Sequence, residues 1–310
     1  MTPSDASSYR YLTQRPRDFL DDFYRRDDEE FENPGGLQDL RDLIRSGDGE
    51  PEILDVNRFK ISLSAKKFSG TICKRVFYSS VRVAKLCAAV NALQAADCAA
   101  AWTLTTSYYS SFFAALELLF LDGRFSSFVD GDDIAAIQLY SRSSVFKLSK
   151  GTYECEVKWD EKDESVSVFY SHGSDKPHAF AWEKMRQYVD GIEGLVPLKS
   201  VPQWILLRRV LGSGGDRWRL PSDTRNRWNY TDSRLFTKEG DSVCNEFCTN
   251  CYQPTLAVKW ISRNPRIANE QDYATSIAYL KAVLVAAYLD LARAVLPPKR
   301  LAEIQRLYAI

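Results

Sequence analysis

The sequence predicts a mainly α fold: an antiparallel helical bundle carrying a small inserted β-hairpin or meander. Three observations predict it. From Ala84 to Phe120 the chain contains neither proline nor glycine, so nothing interrupts a long helix or a pair of helices. Large apolar residues recur there at helical spacing (Leu86, Val90 and Leu93, then Leu104, Tyr108, Phe112, Ala115 and Leu119), and Ile277, Leu280, Leu284, Ala287, Leu291 and Val295 repeat the pattern. Between 143 and 171 the period changes to two: Val145, Leu148, Tyr153, Cys155, Val157 and Trp159, then Val166, Val168 and Tyr170, alternate with polar residues.

Taken in order, residues 1–50 form a charged helical segment. Eight carboxylates from Asp18 to Glu32 face only Arg25 and Arg26, while Phe19, Phe23, Tyr24 and Phe31 give the segment something to bury. A solvated surface helix accounts for it, and an acidic amphipathic helix that docks on a partner is the alternative. Leu37 to Ile44 makes a short second helix, closed by Ser46-Gly47-Asp48-Gly49. Residues 51–142 hold the first part of the bundle. Val56, Phe59, Ile61 and Leu63 read there as a short strand or extended arm, and Asp130 or Asp132 as the N-cap of a helix over 132–140.

Residues 143–175 are the β insertion, turning at Asp160-Glu161-Lys162-Asp163-Glu164. Residues 176–310 complete the bundle, with helices expected over 178–188, 203–211, 224–235, 271–295 and 299–308. Alanines at 88, 89, 92, 95, 96, 99 and 100 allow close helix approach in the central run.

Lys+Arg and Asp+Glu both number 41, so the formal net charge is zero, which excludes nucleic-acid coating or membrane adsorption by bulk charge. Two apolar stretches are long enough to raise a membrane span. Asn91, Gln94 and Asp97 interrupt one, and Lys281, Asp290 and Arg293 the other, so a soluble protein is expected. Seven cysteines, two of them inside the central run, and a polar N-terminus fit a reducing cytoplasm.

Cys244, Cys248 and Cys251 stand in a C-x3-C-x2-C spacing that resembles the cluster loop of radical S-adenosylmethionine enzymes. Only 59 residues follow, mostly of helical pattern, and no run of parallel strands precedes, so the barrel of those enzymes has no counterpart here. Zinc is the other candidate, short of a fourth ligand unless His172 or His178 supplies it from afar. The expectation is no cofactor, with three reduced cysteines packed in a loop.

From Lys199 to Arg234 eight basic residues, among them Arg217, Arg219, Arg225 and Arg227, meet three aspartates. Trp204, Trp218, Trp228 and Tyr230 are interleaved with them, a mixture suited to phosphate contact and base stacking. The competing account is an Arg-rich segment neutralised by the acidic N-terminal one. Gly212-Ser213-Gly214-Gly215 lacks the Lys-Ser/Thr of a P-loop, and two histidines do not make a Ser-His-Asp triad.

Arg225-Asn226-Arg227-Trp228-Asn229-Tyr230, together with Tyr108 to Ala115 followed by Glu117, resembles the paired bundle helices of HEPN-domain proteins over roughly residues 80–125 and 200–295. The resemblance implies an antiparallel bundle, and an RNA- or nucleotide-binding or toxin-like component of a prokaryotic antiviral defence or toxin–antitoxin system. It places Arg225, Asn226, Asn229 and Tyr230 in the catalytic or ligand site. Arg217, Arg219, Arg227, Trp228 and Tyr108 are then RNA contacts. RNase members of that family use an Arg on the phosphate and a His for proton transfer, without metal. Here Asn229 and Tyr230 stand where the His belongs, and nothing in the sequence brings His172 or His178 to Arg225 short of a second subunit. A phosphate- or RNA-binding scaffold is therefore favoured over a standard RNase. The expected partners are RNA or a nucleotide, a partner protein of such a system and further copies of the chain as a homo-oligomer, with no membrane. The alternative from another class is a non-catalytic adaptor that dimerises or docks a partner through its bundle.

Overall fold

The computed structural model describes residues 9–24, 30–96, 100–141, 146–173, 177–212, 219–241 and 270–308, with residues 247, 249, 256, 259, 260 and 263. Its frame is mainly helical. The run without proline or glycine lies in two helices, α3 (Ala65–Ala95) and α4 (Ala100–Leu121). They lie antiparallel: Phe68 meets Phe120, Arg75 bonds Glu117 at 2.9 Å and Arg82 covers Phe113. Helix α9 (Glu270–Val295) packs on both, and its Tyr288 hydroxyl bonds the carbonyl of Val76 and the hydroxyl of Ser80, each at 2.9 Å. The apolar windows over 65–93 and 271–295 are long enough to cross a membrane, and both belong to these core helices.

The N-terminal helix α1 (Tyr11–Phe23) is tied in at several points. Arg15 reaches Asp122 and Arg17 reaches Asp290, while Tyr24 donates to the carbonyl of Val295. Pro16 sits inside α1 and has no N–H, so the carbonyl of Leu12, four residues earlier, loses its helical donor. The hydroxyl of Tyr188 donates to that carbonyl at 2.7 Å instead. Of the acidic run, Glu30 and Glu32 pair with Lys66 and Lys299, and residues 25–29 lie outside the described residues.

The β-structure is larger than the expected hairpin and is not confined to 143–175. Five antiparallel strands run in the order β1 (Glu50–Asp55), β2 (Arg58–Ser64), β5 (Ser165–His172), β4 (Gly151–Asp160), β3 (Arg124–Val129). The alternation at Phe59, Ile61 and Leu63 pairs in register with Tyr170, Val168 and Val166, putting all six on one buried face. Phe59 stacks on Tyr170 with centroids 4.3 Å apart. Strand β3 follows directly on Asp122-Gly123 at the end of α4. Its Phe125 packs on Phe120, so the helix end and the strand start share one corner.

Short helices fill the edges. Helix α2 (Leu40–Ser46) and helix α5 (Gly131–Tyr140) both begin in a capping box, built on Asp39 and on Asp130. Gly47 ends α2 with a positive φ of 74°, a conformation that glycine adopts without steric cost. Helices α6 (Pro177–Gly191), α7 (Val201–Val210), α8 (Pro221–Asn226) and α10 (Pro298–Tyr308) complete the described frame.

Two side chains at the α1 dock can be tested. Asp122 is bonded to Arg15 and lies 3.8 Å from Arg124, yet burial outweighs both guanidiniums and pushes its carboxyl up to about 6. An unfolded aspartate ionises near 3.9, so between about pH 4 and 6 the folded state holds the extra proton. Stability then falls as pH rises, by up to about 1.4 kcal/mol per unit. Denaturant titrations across that window should show the slope in the parent protein and a flatter one in Asp122→Asn; equal slopes would assign the effect elsewhere. Tyr188→Phe strands the Leu12 carbonyl and should cost about 1–3 kcal/mol in the same melts.

Candidate functional site

Helix α4 is buried on nearly all sides, and Tyr108 sits on its inner face with no exposed surface. Helix α6 packs alongside. His178 and Trp182 are four residues apart, hence on one face, and both meet Tyr108. The indole Nε1–H of Trp182 donates to the Tyr108 hydroxyl oxygen at 3.0 Å, and that oxygen lies 3.0 Å from Nδ1 of His178. An indole N–H can only donate, so the phenol proton is free to point at Nδ1. Neutral His178 is then the tautomer with its proton on Nε2. The imidazole also stacks on Phe112 with centroids 4.4 Å apart.

The third contributor is the segment entered at Pro221. Proline at the first position starts α8, and the chain then widens into a π-helical turn over Arg227–Thr231, where the N–H of Asp232 reaches the carbonyl of Arg227. The wide turn brings Tyr230 round beside Arg225, five residues earlier. The guanidinium carbon of Arg225 lies 5.3 Å from the ring centre of Tyr108, 5.6 Å from that of Tyr109 and 5.9 Å from that of Tyr230. Arg225 is 6% exposed, its Nε has no hydrogen-bond partner, and among the described residues no carboxylate pairs with it. Burial first, and then the nearby Arg225 cation, hold His178 below its ordinary range, so it is neutral at pH 7. Burial also pushes the Tyr108 phenol up to about 12, leaving it a hydrogen-bond relay rather than a base.

The structure therefore brings Tyr108 and Arg225 together, as the packing of their two segments requires, and Tyr230 joins them from the surface. Asn229 stands one turn off, with its carbonyl oxygen accepting from Thr105 Oγ1 at 3.3 Å, and Asn226 is exposed. Arg219 lies over Tyr273, 4.2 Å from its ring centre, and Arg227 is half-buried in the π turn. Trp228, expected to stack on RNA, is instead fully buried and meets Phe247, so it offers no open ring face. Glu117 points away from the cluster to Arg75. Arg217, Cys244, Cys248 and Cys251 lie outside the described residues; among the described residues no group of three or more His, Cys, Asp or Glu suits a metal, and Cys73, Cys87 and Cys155 are buried.

One expectation is reversed. His178, set apart from the arginine by the sequence reading, reaches the cluster within the same chain. The His178–Trp182 spacing marked one face of a predicted helix, but nothing local to it said which neighbour that face would meet.

Two variants separate packing from site. Trp228→Ala should lose about 3–5 kcal/mol of stability, as a large ring removed from a core does. Tyr108→Phe leaves the Trp182 N–H buried without an acceptor, costing about 1–3 kcal/mol in thermal or denaturant melts. If Tyr108→Phe is neutral, the relay to His178 is not held as described.

Comparison of the chain with protein-family models, with curated proteins and with solved structures finds no match in any of the three.

Proposed function

We propose that Arg225 and His178, held in place by Tyr108 and Trp182, bind a phosphate group of RNA or of a nucleotide, and that the chain is an RNA- or nucleotide-binding component of a prokaryotic defence or toxin–antitoxin system, in line with its HEPN-like resemblance. The observation that carries this reading is Arg225. Among the described residues this buried guanidinium meets no carboxylate, which is costly, and three tyrosine ring faces with the Tyr108 hydroxyl offset only part of that cost. A phosphate oxygen completes it, since guanidinium and phosphate match in charge and in donor geometry. The Nε2–H of His178 is the second donor on offer.

Binding is favoured over turnover. With Nδ1 engaged by the Tyr108 hydroxyl and the remaining proton on Nε2, His178 has no free lone pair with which to take a proton from a ribose 2′-OH. Tyr108 does not replace it as a base, since burial pushes its phenol up to about 12.

The reading is checked with a fluorescently labelled oligouridylate trinucleotide at low salt. Arg225→Ala should weaken binding roughly ten- to a hundredfold, the range of a charge-assisted hydrogen bond, and Arg225→Lys should recover only part of it. Equal binding by parent and Arg225→Ala would remove the proposal. A bound phosphate raises the pKa of His178 from its lowered free value, so affinity rises as pH falls through the bound-state value. That pH dependence should be absent in His178→Gln. The same samples report turnover: the RNA is expected to stay intact, and a 2′,3′-cyclic phosphate product that disappears in His178→Gln would make the protein a nuclease instead.

A further inference from the structure

Helix α4 touches solvent along one stripe only: Trp102, Thr106, Tyr109, Phe113 and Leu116. The steps between them are four, three, four and three residues, so they lie in a single row along the helix. Three of these five are aromatic. Cations stand against that row. Arg225 lies over Tyr109, Tyr109 stacks on Phe113 with centroids 6.1 Å apart, and Arg82 from α3 lies 4.5 Å from the ring centre of Phe113. Like Arg225, Arg82 meets no carboxylate among the described residues, and it is exposed.

The row has a defined course at both ends. Trp102, half exposed, meets Phe236 at the N-terminal end, beside the segment that carries Tyr230. At the other end Phe113 and Leu116 help line a groove of about 420 Å³ that also holds Tyr78 and Arg82. Arg41, Lys74 and Arg75 also line it, paired with Asp133, Asp42 and Glu117, so Arg82 is the cation there that meets no carboxylate among the described residues. From Trp102 to Leu116 the helix rises about 21 Å, roughly six nucleotides at a stacked spacing of about 3.4 Å.

We infer that this stripe is a track for single-stranded RNA, with bases stacking on Trp102, Tyr109 and Phe113 and backbone phosphates meeting Arg225 and Arg82. The inference rests on the phosphate-site reading and extends it, from one phosphate at Arg225 to a strand laid along α4. Alternating ring faces and guanidiniums suit a single strand, which offers an unpaired base and a phosphate at each step. A duplex keeps its base faces stacked and could not use the rings. A protein partner would have to bring acidic groups at the same spacing.

The test compares a labelled oligouridylate trinucleotide with a dodecanucleotide on the full chain. The dodecanucleotide should bind at least tenfold more tightly. Phe113→Ala combined with Arg82→Ala should remove that advantage, one stacked base being worth about 1–3 kcal/mol, while trinucleotide binding through Arg225 stays as in the parent. Arg82→Ala alone should make the slope of log affinity against log salt shallower by about 0.7. Both residues reach the surface, and a melting curve confirms that the variants fold. Equal affinity for the two lengths overturns the track while leaving the Arg225 site standing. Failure of the site reads differently: Arg225→Ala then leaves trinucleotide binding unchanged. If the parent binds no dodecanucleotide at low salt, the track is overturned and the stripe is left as a face for a protein.

Discussion

A helix that is apolar on all sides has one physical solution, which is to be enclosed, and α4 is such a helix. Its two neighbours in the bundle, α3 and α9, cover part of it, and α1, α6, β3 and the segment around Arg225 close most of the remainder. Much of the described chain is thus arranged by the need to keep water from one helix of 22 residues. Side chains far apart in sequence become neighbours as a consequence. Arg225 and His178 meet at Tyr108 because both of their segments serve as cover for the same helix.

Enclosure is possible because α4 brings few polar groups that need outside partners. The hydroxyls of Thr106, Ser107, Ser110 and Ser111 donate back to carbonyls four residues earlier, so these small polar residues are satisfied within the helix. Glu117 is the charged exception, and Arg75 of α3 meets it at 2.9 Å while covering the ring of Phe120. Tyr108 is the other polar group at depth, and its hydroxyl is engaged on both sides. These polar groups of α4 therefore have their partners close at hand, and Arg225 is left at the edge of the enclosure. A cation in that position has few ways to lower its free energy except a ligand of opposite charge.

The same logic of lost and recovered partners places α1. Pro16 leaves the Leu12 carbonyl without a helical donor, and Tyr188 of α6 supplies one. Helix α6 thus touches the N-terminal helix with one residue and the arginine cluster with two others, His178 and Trp182. Asp122 ties the end of α4 to α1 through Arg15, at the cost of a carboxylate held in an apolar corner. These contacts couple the position of α6, and with it the relay to His178, to the docking of the first helix.

Periodicity and chain breakers determined which segments are helix and strand. Apolar spacing located α6, α9 and α10 to within a few residues and the end of α4, but neither the break between α3 and α4 nor the start of α3 at Ala65, nineteen residues before the central run. Asp130 was readable as a cap because capping needs only neighbours in sequence. The alternation at Phe59, Ile61 and Leu63 was equally legible, but its pairing was not. That stretch found its partners a hundred residues on, in β5, and made a five-stranded sheet where a local hairpin was expected. The short β3 was hidden because its six residues follow a helix end that reads as a turn. The charge and ring content of the 199–234 segment was in the sequence; that Trp228 turns inward while Arg225 meets no carboxylate among the described residues was decided by packing. So was the arrival of His178 at Tyr108. Local signals carry one segment's preferences, whereas a site built from three segments exists only once burial of a shared helix has brought them together.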